Sequence, residues 1–384
     1  GVSRLVWPAP AGLRRPFAPT VVFEGICMSL LRVGVVGVGH LGKEHARILA
    51  TLPGVELVGV ADANIGQAEA VAQRCGTQAF ADYHALIPRV DAAVIVVPTT
   101  HHHTVASDFL THGLPLLVEK PMARTVQQAE EMNDLAERHG AVLQVGHIER
   151  FNPAFEELLR HPMQPKFITC ERYSGFSGRS TDIGVVHDLM IHDLDLVLAL
   201  VQAPVRSVEA LGVSVLGGNE DMAQARLTFA NGCVADLKAS RVHPTQVRCM
   251  QVFSPEGFAG VDYARRHLTL MQPAEHLRQG RLDAASLATL KTELFGRHVQ
   301  VREIDCAAGD QLTSELLDFA HSVRTGQRPR VDGAAGRDVL ALASRILDRL
   351  QAHAWEGATG PIGPWHLPAP RGSLFLPVSQ PLAA

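Results

Sequence analysis

The stretch GVVGVGHLG, at residues 34–42, decides the fold. Gly37, Gly39 and Gly42 stand there in the pattern G-x-G-x-x-G, which alone is a weak signal in a chain with 33 glycines. Its surroundings make the signal stronger, because an almost continuous apolar run at 30–38 precedes the glycines and a helical pattern follows them. A glycine-rich turn between a buried strand and a helix is typical of a dinucleotide-binding loop.

The first 150 residues continue this alternation of short apolar runs and amphipathic helical patterns, which predicts a parallel sheet with helices on both faces. Gly37 allows the tight turn, Gly39 lets the backbone approach a pyrophosphate, and Gly42 lets the helix pack against the sheet. Asp62 ends the second strand, where a carboxylate can bind both ribose hydroxyls and repels a 2′-phosphate. We therefore expect NAD as the cofactor, and NADP is less favoured.

Past residue 150 the chain changes to long β-rich runs, and Asn231-Gly232 between two of them is a strong hairpin signal. The predicted fold class is α/β, with an N-terminal Rossmann dinucleotide-binding domain and a C-terminal α+β domain built on a large, mostly antiparallel sheet. The predicted divisions are an extension at 1–28 that is disordered or not native, a Rossmann domain at 29–150, a substrate-binding and oligomerisation domain at 151–355, and a Pro-rich tail at 356–384.

Composition excludes several classes of protein. A net charge of −4 gives no general reason to expect nucleic acid or an anionic membrane surface as partner, and no apolar run reaches membrane-spanning length. The six cysteines are scattered without zinc-site spacing, which indicates free thiols in a reducing compartment. We expect a cytoplasmic protein.

The first candidate for chemistry is Glu119-Lys120-Pro121, at the carboxyl end of a predicted parallel strand. Ligands of open α/β sheets bind at that end. Lys120 can donate to a substrate oxygen and stabilise an alkoxide; the alternative is a surface lysine paired with Glu119.

The second candidate is the run 184–200, where a helix would bring Asp188, His192 and Asp195 to one face. A histidine with a carboxylate one turn away on either side suits a general base. The alternative is a helix cap followed by a buried, hydrogen-bonded histidine.

Three successive histidines at 101–103 resemble a metal site only superficially, because consecutive residues cannot easily face one ion. We expect no metal. One of these histidines is expected to cap the following helix and to approach the cofactor.

Taken in order, these motifs resemble the Gfo/Idh/MocA family of NAD(P)-dependent oxidoreductases. The resemblance runs from residue 30 to about residue 200 and includes Pro98-x-x-x-His102 and VGHIERFNP at 145–153. It implies a Rossmann domain with an open C-terminal sheet that forms homodimers or homotetramers. It implies a cofactor site that also includes His40, Leu41, Pro98, His102, Glu119 and Lys120.

The resemblance further implies that Lys120 and His192 flank the substrate carbon, with Asp188 binding or orienting. Which of Lys120 and His192 is the base differs across the family. Ile148 departs from the asparagine that family members often carry, whereas GHIERFNPAF is similar to a branch that includes UDP-N-acetylglucosamine 3-dehydrogenases.

This branch implies a nucleotide-linked amino sugar as substrate. The Gly- and Ser-rich stretch 171–184 is expected to overhang the site, so that Arg172 and Arg179, joined by Arg150, bind a diphosphate. The alternatives are a dehydrogenase of a free cyclitol or sugar, and a non-catalytic protein that senses NAD.

Overall fold

The computed structural model describes residues 29–176, 183–280, 283–306 and 309–363. These residues form a six-stranded sheet, an eight-stranded sheet and a two-stranded hairpin. The predicted extension at 1–28 and most of the predicted tail lie outside the described residues. Within the described ranges no helix is both long and apolar enough to cross a bilayer, and five cysteines are free thiols.

The six-stranded sheet is parallel throughout, as the alternating pattern predicts. Its strands are β1 (Leu31–Val36), β2 (Val55–Ala61), β3 (Gln78–Phe80), β4 (Ala92–Ile95), β5 (Leu116–Glu119) and β6 (Leu143–Gly146). Their spatial order is β3-β2-β1-β4-β5-β6. The helices of this part are α1 (Gly42–Leu49), α2 (Ile65–Cys75), α3 (Thr99–Thr111) and α4 (Val126–His139), and the next helix, α5 (Pro153–Leu159), packs in the core of the eight-stranded sheet. Of these six strands, β3 alone was not predicted, because a three-residue edge strand has no period to detect.

All strand pairs of the eight-stranded sheet are antiparallel except one. The parallel pair joins the first and the fourth strand of the sheet in chain order. Its strands are β7 (Phe167–Tyr173), β8 (Val205–Val213), β9 (Met222–Phe229), β10 (Val234–Ser240), β11 (Val247–Ser254), β12 (Gly257–Asp262), β13 (His267–Pro273) and β14 (Val299–Asp305). The order is β14-β13-β12-β11-β7-β10-β9-β8. Asn231-Gly232 turns β9 into β10 with Gly232 at φ +82°, so the hairpin prediction is confirmed.

The remaining elements are α6 (Ile191–Val201), α7 (Glu275–Arg278), α8 (Ala284–Thr289), α9 (Gln311–Thr325), α10 (Gly333–Ala352) and the hairpin β15 (Ala354–Trp355) with β16 (Ala358–Thr359). Helix α6 is apolar on most sides and lies in the core of the eight-stranded sheet. A π-helical turn, Val186–Met190, leads directly into it. Irregular turns of this kind occur often at functional sites.

The last two long helices cross the predicted domain boundary. Leu316 and Phe319 of α9 pack in one core with Leu117 of the parallel sheet. Helix α10 contributes Ile346 to the core of the eight-stranded sheet and Leu340 to a core of the parallel sheet. Helices α9 and α10 thus connect the two sheets, and an amphipathic stripe alone does not specify which sheet it covers.

A buried ion-pair group fixes α6 to the eight-stranded sheet. Arg172 of β7 donates from Nε and Nη2 to the two oxygens of Asp193 on α6, at 3.0 and 2.8 Å. Its Nη1 donates to Glu149 at 2.8 Å, in the 3₁₀ turn Ile148–Phe151. All three side chains are at most 5% exposed. The guanidinium is thus shared by two buried carboxylates, of which Glu149 has one further, longer ion pair, with Arg248 at 4.0 Å.

A second pair acts two residues further along the same helix. Arg150 donates from Nε and Nη2 to Asp195, at 2.7 and 2.9 Å. Two adjacent residues of the 3₁₀ turn are thus connected to α6. Glu149 is connected to Asp193 through Arg172, and Arg150 binds Asp195 directly. The start of α6 is held against both the turn after β6 and the strand β7.

Replacing Arg172 by methionine should leave two buried carboxylates without their cation. We expect a loss of about 3–5 kcal/mol in the free energy of unfolding, measured by urea denaturation. The matched control is Arg226→Met, which removes a bidentate pair with Asp236 on the exposed side of the sheet and should change stability by less than about 1 kcal/mol. Equal losses in the two variants would contradict the structural role of Arg172.

Candidate active site

The glycine loop after β1 is shaped by close backbone contacts. Gly37 has φ +85°, and a Cβ there would lie 2.7 Å from the backbone of Val96. A Cβ on Gly42 would overlap the carbonyl oxygen of Gly37, so α1 can begin this close to β1 only with glycine. Gly39 borders a cleft, with open space where a side chain would be.

The first turn of α1 faces the same cleft. His40 and Leu41 line it, and Leu41 stands at the helix N-cap without a side-chain cap. The first N–H groups of a helix have no intrahelical acceptor and attract anions. The loop therefore has the geometry of a pyrophosphate site.

Asp62 directly follows β2 and is held by the loop it faces. Its two oxygens accept the N–H groups of Val38 and Asn64, both at 2.9 Å. Each carboxylate oxygen has a second lone pair, and the residue lines the cleft. Asp62 can therefore accept ribose hydroxyls while it stays fixed by the backbone.

Helix α3 begins at Thr99, earlier than predicted, so the three histidines lie inside the helix rather than before it. His102 is buried, with Nδ1 2.9 Å from the carbonyl oxygen of Pro121 and Nε2 2.8 Å from that of Val97. His103 instead pairs with Glu131. The predicted helix cap is wrong, and His102 connects the end of β4 to the segment after β5.

Lys120 extends from the end of β5 to the π-helical turn. Its Nζ donates to the carbonyl oxygen of Asp188 at 2.9 Å and lies 3.7 Å from Oδ1 of the same residue. The side chain is 15% exposed and borders the cleft. Asp188 therefore holds the lysine, and the two residues join the parallel sheet to the segment that precedes α6.

Three imidazoles are grouped around Lys120, from His147 after β6, His187 in the π turn and His192 in the first turn of α6. Each has one buried ring nitrogen without a hydrogen-bond partner among the described residues: Nδ1 of His147, Nε2 of His187 and Nδ1 of His192. Burial, with the charge of Lys120 as a further cause, lowers the pKa of all three below the ordinary value, most strongly for His192. These rings are neutral near pH 7, and none of the three is among the residues that line the cleft.

His147 and His187 were not among the predicted site residues. His147 ends a predicted strand beside the one that carries Lys120, so strand position was a signal for it. The predicted regular helix through Asp188, His192 and Asp195 is interrupted by the π turn. Asp195 is bound by Arg150, and no carboxylate of the described residues orients Nδ1 of His192.

The cleft has a volume of about 940 Å³, near the upper end of the usual range for small-molecule sites. Of the predicted cofactor residues, those that line it are Gly37, Gly39, His40, Leu41, Asp62, Pro98, His102, Glu119 and Lys120. Gly42 lies behind the loop. Ile183 and Asp188 contribute from the other side.

The predicted diphosphate arginines are not brought together in the described residues. Arg172 belongs to β7 rather than to a loop, and its guanidinium is buried and shared by Asp193 and Glu149. The expectation that it contacts substrate is therefore wrong, because no donor remains at the surface of the cleft. Arg150 is bound to Asp195. Arg179 lies outside the described residues.

Comparisons with known proteins agree with this geometry. Residues 31–147 match the profile of the Gfo/Idh/MocA oxidoreductase family with its NAD-binding Rossmann fold, and residues 159–259 match the family's C-terminal domain. The UDP-N-acetylglucosamine 3-dehydrogenase of Acidithiobacillus ferrooxidans is 36% identical over 323 residues, which cover 84% of this chain and 98% of that protein.

The solved structure of that dehydrogenase, GnnA, superimposes with a TM-score of 0.76 over the same shares of the two chains. The scyllo-inositol 2-dehydrogenase (NAD⁺) of Bacillus subtilis is 29% identical over 263 residues, covering 63% of this chain and 77% of that protein. The chain belongs to the Gfo/Idh/MocA family of oxidoreductases, and its N-terminal part is an NAD-binding Rossmann domain.

Proposed function

We propose that this NAD-dependent oxidoreductase oxidises a hydroxyl of a nucleotide-linked amino sugar, similar to UDP-N-acetylglucosamine, to a ketone. The observation that carries the proposal is that Lys120, held by Asp188 at the cleft, lies close enough to His192 for its charge to lower the pKa of that ring. Nδ1 of His192 is buried and has no partner among the described residues. The relative that acts on UDP-N-acetylglucosamine, which aligns over nearly its whole length, supports the substrate class.

The residues around the cleft fit NAD. The glycine loop and the first turn of α1 suit the pyrophosphate, and Asp62 suits the adenosine ribose. Bound NAD⁺ supplies the hydride acceptor. Lys120 and Glu119 border the same cleft, at the carboxyl end of β5.

The roles of the two reacting side chains follow from their surroundings. His192 is the proton acceptor, because its lowered pKa keeps the ring neutral and able to take the hydroxyl proton. Lys120 donates to the substrate oxygen and stabilises negative charge that develops there. Asp188 keeps the amine in place through its main-chain oxygen and its carboxylate.

The substrate class is tested with purified protein, NAD⁺ and a panel of UDP-N-acetylglucosamine, free N-acetylglucosamine and myo-inositol. NADH absorbance is followed in the presence of a reagent that traps the ketone. We expect turnover with the UDP-sugar alone. Turnover with a free sugar or inositol alone would contradict the nucleotide-linked substrate and favour the second candidate, a cyclitol or sugar dehydrogenase, which the inositol-oxidising relative supports.

Lys120→Met and His192→Asn should each lower kcat by about 10²-fold or more, because each removes one partner of the proton and charge chemistry. NAD⁺ affinity, measured by calorimetry, should change little. Lys238→Met, on a half-exposed lysine of β10, is the control and should keep full turnover. In the pH profile of the unsubstituted enzyme, kcat should decline on the acid side only at a pH below the usual pKa of histidine. Unchanged turnover in both variants would refute the mechanism.

Asp62→Asn should shift the cofactor preference toward NADP, since it removes the negative charge that repels a 2′-phosphate. We expect the ratio of kcat/KM for NADP to that for NAD to rise at least about tenfold, which corresponds to about 1.4 kcal/mol. Asp82→Asn is the control, because Asp82 also lines the cleft but binds His84. An equal ratio in the two variants would remove Asp62 from cofactor selection.

We further infer a homodimer or homotetramer assembled through the eight-stranded sheet. Phe253 is 40% exposed on the sheet and packs beside Phe167 and Phe258, with ring centres 5.9 and 5.1 Å apart. An exposed aromatic group of this kind suits burial against a second copy of the chain.

A further inference from the structure

A buried group of three ionisable side chains lies behind Lys120. Glu119 of β5 receives a hydrogen bond from Nε2 of His45 on α1, at 2.9 Å, through Oε1. Its Oε2 accepts the backbone N–H of Lys120 at 3.1 Å. Glu315 of α9 completes the group, since one ligand atom from each of the three side chains lies within 4.8 Å of the others.

Glu315 is fully buried, and neither of its carboxylate oxygens has a hydrogen-bond partner in the described chain. Gln144 of β6, also fully buried, donates from Nε2 to the main-chain oxygen of Glu315, and its own Oε1 has no partner. An ionised carboxylate in such a place would lack the donors that make a buried charge tolerable. A neutral carboxylic acid fits this environment, because it removes the charge and adds a donor.

The charges around Glu315 favour the same state. The titratable and charged groups packed around it come from several elements. They are His45 on α1, Glu119 at the end of β5, Lys120 directly after it, His147 after β6, Arg150 with its partner Asp195 of α6, and Asp318 of α9 with its partner Arg330. Burial first, and then the negative charges of Glu119, Asp318 and Asp195, raise the pKa of Glu315 well above its usual value.

We propose that Glu315 is a neutral carboxylic acid that acts as a positioning residue for Lys120, with Glu119 as the link. With Glu315 neutral, Glu119 is the single negative group of the three and can hold both His45 and the N–H of Lys120. An ionised Glu315 would repel Glu119 from that position. The proposal rests on the proposed function in one respect, namely that Lys120 acts on substrate.

The space for this arrangement comes from Gly146. A Cβ there would lie 3.0 Å from Oε2 of Glu119, tighter than ordinary contact. A metal ion fits the group less well than a proton does. Nε2 of His45 is bound to Glu119, and Nδ1 of His45 has no partner in the part of the chain that the structure describes, whereas a metal-bound imidazole normally donates its other N–H to an acceptor.

The protonation state is tested first by infrared spectroscopy of the full-length enzyme. The carbonyl stretch of a protonated carboxylic acid should be present in the unsubstituted protein at pH 8, and Glu315→Gln should remove it. Asp318→Asn is the matched control on the same helix and should leave the Glu315 band in place. Absence of the band, or a stoichiometric metal released on denaturation, would overturn the neutral acid.

The pH dependence of stability gives a second readout that needs no substrate. Above pH 5 the unfolded chain loses the Glu315 proton while the folded chain keeps it, so this group's contribution to stability falls as pH rises. The unfolding equilibrium constant should rise up to about tenfold per pH unit relative to Glu315→Gln. The melting temperature of Glu315→Gln minus that of the unsubstituted protein should therefore increase from pH 5 to pH 8. A constant difference would contradict the proposal.

Positioning is tested by turnover. Glu315→Ala should lower kcat at least about fivefold while the NAD⁺ dissociation constant changes less than about twofold, since a fivefold loss corresponds to about 1 kcal/mol of misplacement. Glu315→Gln should restore kcat to within about twofold, because glutamine keeps the shape and neutrality of the acid. Loss of kcat in Glu315→Gln as severe as in Glu315→Ala would refute the role. Failure of the proposed substrate would leave the infrared and stability results unaffected.

Discussion

The hydrogen bond from Lys120 Nζ to the main-chain oxygen of Asp188 is the interaction on which the candidate site depends. It joins the carboxyl end of a parallel strand to a turn that leads into the core helix of the other sheet. A main-chain acceptor is a firm anchor, because it cannot be moved by rotating a side chain. The amine is thereby held between the cofactor cleft and the three imidazoles grouped around Lys120.

That anchor is reliable only if the helix behind it is fixed. Helix α6 carries two buried aspartates near its start, and each is bound bidentately by an arginine from another element. Buried ion pairs add little net stability compared with apolar packing, but they are geometrically demanding. Their value here is that they fix the rotation and depth of α6, and with them the location of His192.

The sequence predicted the parallel sheet, the glycine loop, Asp62 and the Glu119-Lys120 strand end, because each has a local period or a local turn requirement. It could not predict the partners of Arg172. An arginine next to a Gly- and Ser-rich stretch resembles a loop cation, and its carboxylates lie 23 and 21 residues away in the chain. The π turn could not be predicted either, since one extra residue in a turn leaves the apolar pattern of the following helix intact. Glu315 gave no signal because an acid on an amphipathic helix normally faces water.

The path of the chain between the two sheets limits how the cleft can open. The backbone leaves the parallel sheet before α5, returns to it in α9, and then runs along both cores in α10. A hinge between two lobes normally has one or two connecting strands that can bend. Here any rigid rotation of one sheet against the other would have to separate α10 from one of its two cores. We therefore expect ligands to enter through the displacement of short surface segments, with the two halves of the molecule moving as one body.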